Sequence, residues 1–352
     1  MPALYVTNFN PRFTGVSATA AAVLGEQARN LDAALVGKPL PACPAPMTLR
    51  QALALSRLSP AGLPFSIWHV RRNSEMQAAL FARDILRLPI RIVFTSAAQR
   101  RHSAWPRWLI GRMDAVIATT QAAAGFVPHV RAVVPHGIDT ARFAPAPDRA
   151  AAWQATGFGG AYGIVTVGRI RPEKGTDLFV RAMIRALPQL PGATAVVIGM
   201  AKPADSAFLD RLKSEVAAAG LSARILFPGE IAADRMPRIL QGAALLVAVP
   251  RYEGYGVTPL EAMATGAPVI ASTAGHFAEF LAPESTRPAG HIVAQEDWTA
   301  AADAAVALLA DPARHAAFAA NARHRATTLF GIETEVAGIR SVYDQLWHRT
   351  TP

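Results

Sequence analysis

The sequence predicts an α/β chain made of two doubly wound parallel sheets. Three observations carry that expectation. The 352 residues, 51% of them hydrophobic, exceed the roughly 100–200 residues of a single domain and can bury a large core. Apolar, β-rich runs alternate with longer segments of helical period. A Pro-rich stretch, RFAPAPDRAA at 142–151, separates two such series as a linker would. Strands covered by helices on both faces read as near-continuous Val, Ile and Leu, and these runs do.

In the first series, ALYVTN (3–8) precedes a helix over 16–30, and FSIWHV (65–70) precedes one over 74–87. IRIVFT (90–95) and DAVIAT (114–119) follow, with helices over 104–112 and 120–126, and RAVVPHGID (131–139) leads into the linker. The second series holds YGIVTVG, ATAVVIG, ARILFPG, ALLVAVP and APVIAS, between 162 and 272. Helices are expected between them near 175–187, 206–219, 232–241 and 259–264. From about residue 298 the chain is helical, and Trp347 reads as a packing residue. The expected organisation is a first domain over 1–147, a second over 148–330, and a C-terminal helix over 331–352 packing back on the first.

Charge divides the chain more sharply than pattern does. Residues 1–112 hold fourteen basic and four acidic side chains, whereas 113–352 hold twenty-one of each. The basic part is expected to face something anionic. Lone Cys43 excludes an intrachain disulfide and a multi-cysteine zinc site, which fits a reducing compartment. The start MPALYVTNFNPRFTG lacks a signal-peptide pattern, and no apolar run reaches the ~20 residues of a spanning helix. The expected location is therefore cytoplasmic.

Ligands of open α/β sheets bind beyond the carboxyl ends of the strands, and three constellations fall there. After the strand at 244–249, RYEGYGVTPLEAMATG carries Glu253 and Glu261 around Gly254, Tyr255 and Gly256. Thr258, Pro259 and Glu261 have the grammar of a capping box. EGYG puts flexible backbone ahead of a helix N-terminus, where N–H groups favour a phosphate. Glu253 is either a solvated loop carboxylate or an acceptor for sugar hydroxyls. In VGRIRPEKGTDLFVRA, Gly168 follows a strand, and Arg169 and Lys174 flank a turn. They are either solvated or suited to a diphosphate, one as a planar fork and the other as a mobile point charge. In NFNPRFTGVSAT, Gly15 can let a ligand approach the backbone. No G-x-G-x-x-G, P-loop, G-x-S-x-G or D-x-D is present, so a dehydrogenase and a metal-bridged diphosphate both lack their anchor.

In this order and spacing, Gly15, HGID at 136–139, GRIRPEKG and EGYGVTPLEAMATGAPVIAS resemble the retaining glycosyltransferases of family four over nearly the whole chain. The resemblance implies a GT-B fold, two Rossmann-like domains facing each other across a cleft. It implies that Arg169 and Lys174 hold a sugar nucleotide's diphosphate and that Glu261 holds the ribose. Glu253 would hold the donor sugar, and the amides of Tyr255, Gly256 and Val257, with Thr258 beside them, would line the phosphates. No metal or other cofactor is implied. Many relatives place a His after the strand corresponding to 90–95, where this chain has Thr95 and Ser96; His69 or His102 could substitute, or be structural.

NFNPRFTGVSAT, RRNSEMQAA and FTSAAQRRHS look like lipopolysaccharide-core mannosyltransferases, which implies GDP-mannose as donor and an anionic, Kdo-bearing, lipid-linked glycan as acceptor. QRRHSAWPRWLIGRM (99–113) is either a helix with Trp105 and Trp108 packed inward or a segment lying on an anionic membrane surface. The inner face of the cytoplasmic membrane is the expected place, with no nucleic acid as partner. The competing readings are a UDP-sugar glycosyltransferase, a sugar-nucleotide epimerase, a sugar phosphorylase and a nucleic-acid-binding protein.

Overall fold

The structure is a computed structural model, and it describes residues 1–348. The chain forms two compact units. One comprises Met1–Gly137 with the segment from Gly331 onward, and the other comprises Ile138–Phe330.

The first unit runs β1 (Leu4–Asn8), α1 (Gly15–Gln27), β2 (Ala33–Gly37), α2 (Leu49–Leu55), β3 (Ser66–Val70) and α3 (Asn73–Leu80). It continues with a π-helical turn (Phe81–Ile85), β4 (Ile90–Ser96), α4 (Ala104–Ile110), β5 (Ala115–Ala118), α5 (Gln121–Ala124) and β6 (Val130–Val133). The strands are parallel in the order β2-β1-β3-β4-β5-β6. Alternation along each strand sorts side chains onto two faces. Leu4, Val6, Ile67, Val93 and Ile117 pack with Val23 and Leu24 of α1, while Tyr5, Trp68, Val70, Ile92 and Phe94 pack with Met76 and Ala79 of α3.

The second unit runs α6 (Arg149–Gln154), β7 (Tyr162–Val167), α7 (Thr176–Ala186), β8 (Ala193–Ile198), α8 (Ser206–Ala218), β9 (Ile225–Gly229) and α9 (Met236–Gly242). Then come β10 (Ala243–Ala248), α10 (Val257–Ala264), β11 (Val269–Ser272), α11 (Phe277–Leu281), β12 (Gly290–Val293), α12 (Trp298–Leu309) and α13 (Pro312–Leu329). Its sheet is again parallel, in the order β12-β11-β10-β7-β8-β9. The last helix, α14 (Ile332–Trp347), returns to the first unit, where Tyr343 and Trp347 are buried and the Trp347 indole N–H donates to Phe65 O at 3.0 Å.

The structure corrects the expected boundary at 147/148, because the Pro-rich stretch belongs to the second unit. Ile138 N–H donates to Phe330 O, Phe143 lies in that unit's core, and Gln241 holds Ala144 O. Residues 149–154 are helix rather than linker. Asp148 caps them by accepting from Ala151 N–H, and Trp153 is fully buried.

Candidate functional site

In the second sheet the chain leaves β7 towards β8 and β9, then returns to pair β10 with β7 and builds outward the other way. The switch point is the β7/β10 boundary, and a crevice opens there at the carboxyl ends. The loops after these two strands are 168–175 and 249–256, which carry most of the residues singled out from the sequence.

Gly175 brings the loops together. It has φ +66° and sits against the Val249 carbonyl, where no side chain would fit. Arg251 then locks them. Its guanidinium forks onto Asp177 (Nη1–Oδ1 2.8 Å, Nη2–Oδ2 2.9 Å) and donates to Pro172 O, and its backbone N–H donates to Glu173 O. Burial opposes ionisation of Asp177, yet the hydrogen bond and charge of Arg251 hold its pKa below the ordinary carboxylate value. Sequence reading missed this pair, since its two members lie far apart in the chain and only folding makes them partners.

Within that frame, Lys174 Nζ meets Glu253 Oε2 at 2.6 Å, and Glu253 Oε1 accepts from Gly254 N–H at 2.9 Å. The carboxylate is thus held over the switch point by a cation from the neighbouring loop. Arg169 is exposed just past Gly168 and takes no part in the Arg251 or Lys174 pairs.

Helix α10 departs from the expected start. Its N-cap is Gly256, at φ +89°, not Thr258, and no side chain caps it, so there is no capping box. Gly256 packs against the Phe277 ring, where a Cβ would collide. The first N–H groups of α10, from Val257 and Thr258, therefore lack both an intrahelical partner and a side-chain cap. The Tyr255 ring is buried, stacked on His276 with centroids 5.4 Å apart and edge-on to Phe280. Glu261, one turn into α10, is freed from capping. Burial pushes its carboxyl up to about 7, against an opposing effect from the Arg142 charge.

The first-unit candidates fare differently. His69 is fully buried on β3, with Nδ1 2.5 Å from the Tyr343 hydroxyl and Nε2 2.7 Å from Thr95 Oγ1. Burial, with the nearby charges of Arg71 and His136, drives its pKa well below the ordinary value. Both ring nitrogens are committed to the fold, so the donor-contacting role considered for His69 gives way to a structural one. His102 lies in the loop before α4 and has a buried Nε2 with no hydrogen-bond partner. Gly15 opens α1 with space around its Cα, so the fold itself does not require a glycine there. His136 and Gly137 of HGID are both held by Glu335, at 2.7 Å each.

Comparison with known proteins places this geometry. Residues 152–325 match the family model described as glycosyl transferases group 1. The chain is 44% identical over 341 residues to the lipopolysaccharide core biosynthesis mannosyltransferase LpsB of Rhizobium meliloti (strain 1021), covering 96% of each chain. It is 42% identical over 340 residues to the corresponding LpcC of Rhizobium leguminosarum bv. viciae, covering 96% of this chain and 95% of that one. Among solved structures, Anabaena Alr3699/HepE, crystallised with UDP and glucose, superposes with a TM-score of 0.80 at 16% identity, covering 98% of this chain and all of that one. That likeness is one of fold, two parallel-sheet units of the GT-B kind. With similarity of this extent to whole curated relatives, the chain belongs to the group 1 glycosyl transferases, and it is an enzyme of glycosyl transfer.

Proposed function

We propose that the protein transfers mannose from GDP-mannose, with retention, to an anionic lipid-linked glycan of the lipopolysaccharide core. The observation that carries this reading is the assembly of Lys174, Glu253 and the uncapped start of α10 around one switch point. Mannose as the transferred sugar and the lipopolysaccharide core as its destination are supported by the roles of the two relatives named above; GDP as the carrier and the lipid-linked anionic acceptor are part of the proposal. Lys174, Arg169 and the α10 N–H groups face the diphosphate and offset the charge that develops as the bond from the anomeric carbon to phosphate breaks. Glu253 accepts from sugar hydroxyls, and Glu261, once ionised, accepts from the ribose diol. The acceptor hydroxyl attacks from the face the leaving group vacates, and its proton passes to the departing diphosphate oxygen. Protein groups rather than a metal supply the positive field, so transfer is expected to persist in EDTA.

The Lys174–Glu253 pair must loosen as the donor enters, exchanging one ion pair for a diphosphate contact and a sugar contact. Thermal stabilisation by GDP-mannose, GDP, UDP-glucose and UDP tests the reading. A ligand at a hundredfold excess over Kd adds about 2.7 kcal/mol to the folded state. Stabilisation by the GDP ligands, weakened about 10- to 100-fold in affinity by Lys174→Ala or Glu261→Ala, is the expected result. A response to UDP ligands alone would replace mannose by another sugar. Sugar release from donor alone as an epimerised product would replace transfer by epimerisation.

The acceptor side is proposed to rest on an anionic membrane. Among the described residues no helix is long and apolar enough to cross one. Trp105 and Trp108 do not pack inward. They stack on each other with centroids 5.1 Å apart and are each 52% exposed, with Arg112 over the Trp108 ring.

A further inference from the structure

We infer that Arg71 is the seat of an oxyanion on the acceptor, a sugar carboxylate or a phosphate, at the switch point of the first unit. The inference rests on the glycosyl-transfer reading above only for the word acceptor; the anion site stands on its own geometry.

The first sheet has its own reversal. From β1 the chain goes to β2 on one side, then to β3 on the other, so the β1/β3 boundary is where a crevice opens. Arg71 is the first residue beyond β3. It is only 8% exposed, and its Nε and Nη1 are buried without any hydrogen-bond partner. The acids near it are Glu75 and Glu335, and both are spent on other donors. Glu75 accepts from the backbone N–H groups of Arg71 and Phe9, from the Thr7 hydroxyl and from Arg72. Glu335 accepts from His136 and from Gly137 N–H. Neither takes a hydrogen bond from the Arg71 guanidinium.

Its neighbour shows the contrast. Both terminal nitrogens of Arg72 are engaged, Nη1 on Asn8 and Glu75 and Nη2 on Thr14 and Ser17, and it ties the loop after β1 to the loop after β3. One of two consecutive arginines builds the crevice, and the other is left in it with unmatched donors. Two further polar atoms at the same end of the sheet, Ser96 Oγ on β4 and Thr119 Oγ1 just after β5, are also buried and unpartnered. A buried guanidinium without an acceptor is costly, and two oxygens of a carboxylate or a phosphate entering the crevice would match its fork.

The test is titration of the full-length protein, followed by NMR or calorimetry. The probes are the α-methyl glycoside of Kdo, that glycoside's methyl ester, and inorganic phosphate. The wild type is expected to bind the free acid or the phosphate and to bind the ester at least tenfold more weakly than the acid. Binding of the acid assigns the site to a sugar carboxylate, and binding of phosphate alone assigns it to a phosphate. Arg71→Met is expected to lose anion binding at least tenfold while melting no lower than wild type, because it removes a charge that nothing in the fold hydrogen-bonds. Arg71→Lys keeps the charge, loses the fork, and should fall between. Failure of the wild type to bind either anion, or binding by Arg71→Met within twofold of wild type, would overturn the inference. Stabilisation by GDP reports on the second unit and is expected to survive in both variants, so failure of the anion site and failure of the donor reading are seen separately.

Discussion

In its proposed role as the ribose ligand, Glu261 faces two opposing demands. Its burial favours the neutral acid, whereas a ribose diol is best held by a carboxylate with two oxygens to accept. With its pKa pushed up to about 7, it is about one-tenth ionised at pH 6 and nine-tenths ionised at pH 8. The phosphodiester-like diphosphate of a sugar nucleotide does not titrate in that window. Donor affinity is therefore expected to rise about tenfold from pH 6 to pH 8 in the wild type and to stay flat in Glu261→Gln, measured by calorimetry. Stability runs the other way. A carboxyl whose folded pKa lies above its unfolded value stabilises the folded state below the unfolded pKa, and that contribution is lost as pH rises towards 7. Unliganded Glu261→Gln should thus gain on the wild type by about 3 kcal/mol between pH 4.5 and 8, read from denaturant melts.

At the scale of elements, the proposed donor site depends on two loops that no local rule joins. The Arg251–Asp177 fork is the join, and Asp177 is nearly buried while Arg251 is 27% exposed. Asp177→Ala leaves a half-buried guanidinium with its main partner gone, and a stability loss of about 2–4 kcal/mol is expected. Donor affinity should fall with it although neither residue is assigned to the donor, because Lys174 and Glu253 lose their registration; Asp177→Asn should recover part of both. Helix α6 gives a second test. Trp153 is buried with its indole N–H on Gly159 O at 2.8 Å, so Trp153→Ala should cost about 3–5 kcal/mol.

What the sequence made legible follows the same division. Strands such as 162–167, 193–198 and 243–248 could be read because they are unbroken runs buried on both faces. By contrast β2 (AALVG) and β12 (GHIV) have glycine at an end and too few β-branched or aromatic residues to stand out as strands. Helix α6 hid behind prolines, though Asp148 before an Ala-rich run was a usable cap signal. Thr258 mimicked a cap because Thr-Pro is a common helix start, whereas Gly256 won by reaching a positive φ beside Phe277. Arg169, Lys174, Glu253 and Glu261 were visible as a motif, but the burial of His69 and the isolation of Arg71 depend on neighbours from four separate segments.

At the scale of the molecule, the charge remains to be placed. Met1–Gly137 holds fifteen basic and five acidic residues, and the excess is concentrated around one apolar surface. Phe81, Ile85 and Leu86, on and after the π-helical turn that continues α3, are 50%, 67% and 43% exposed. Helix α4, which packs against α3, adds Trp105 and Trp108. Residues 81–114 contain seven arginines and two aspartates, and Asp84 and Asp114 are already paired with Arg83, Arg91 and Arg112. The three arginines on these two aspartates leave one positive charge over, and the remaining arginines, Arg87, Arg100, Arg101 and Arg107, add four more beside exposed aromatic rings. Each basic residue near an anionic bilayer is worth about 1 kcal/mol, and the attraction fades within a Debye length of about 8 Å at physiological salt. Sedimentation with phosphatidylglycerol vesicles is expected at low ionic strength, and with phosphatidylcholine vesicles only weakly. Raising salt to about 0.5 M should release most of the protein. Trp105→Ala with Trp108→Ala should weaken binding at every salt concentration, since it removes apolar contact rather than charge. Arg100→Glu with Arg101→Glu should instead abolish the preference for anionic lipid while leaving GDP-driven stabilisation intact. Equal binding to neutral and anionic vesicles would leave the segregated charge for the acceptor's own anionic groups alone to explain.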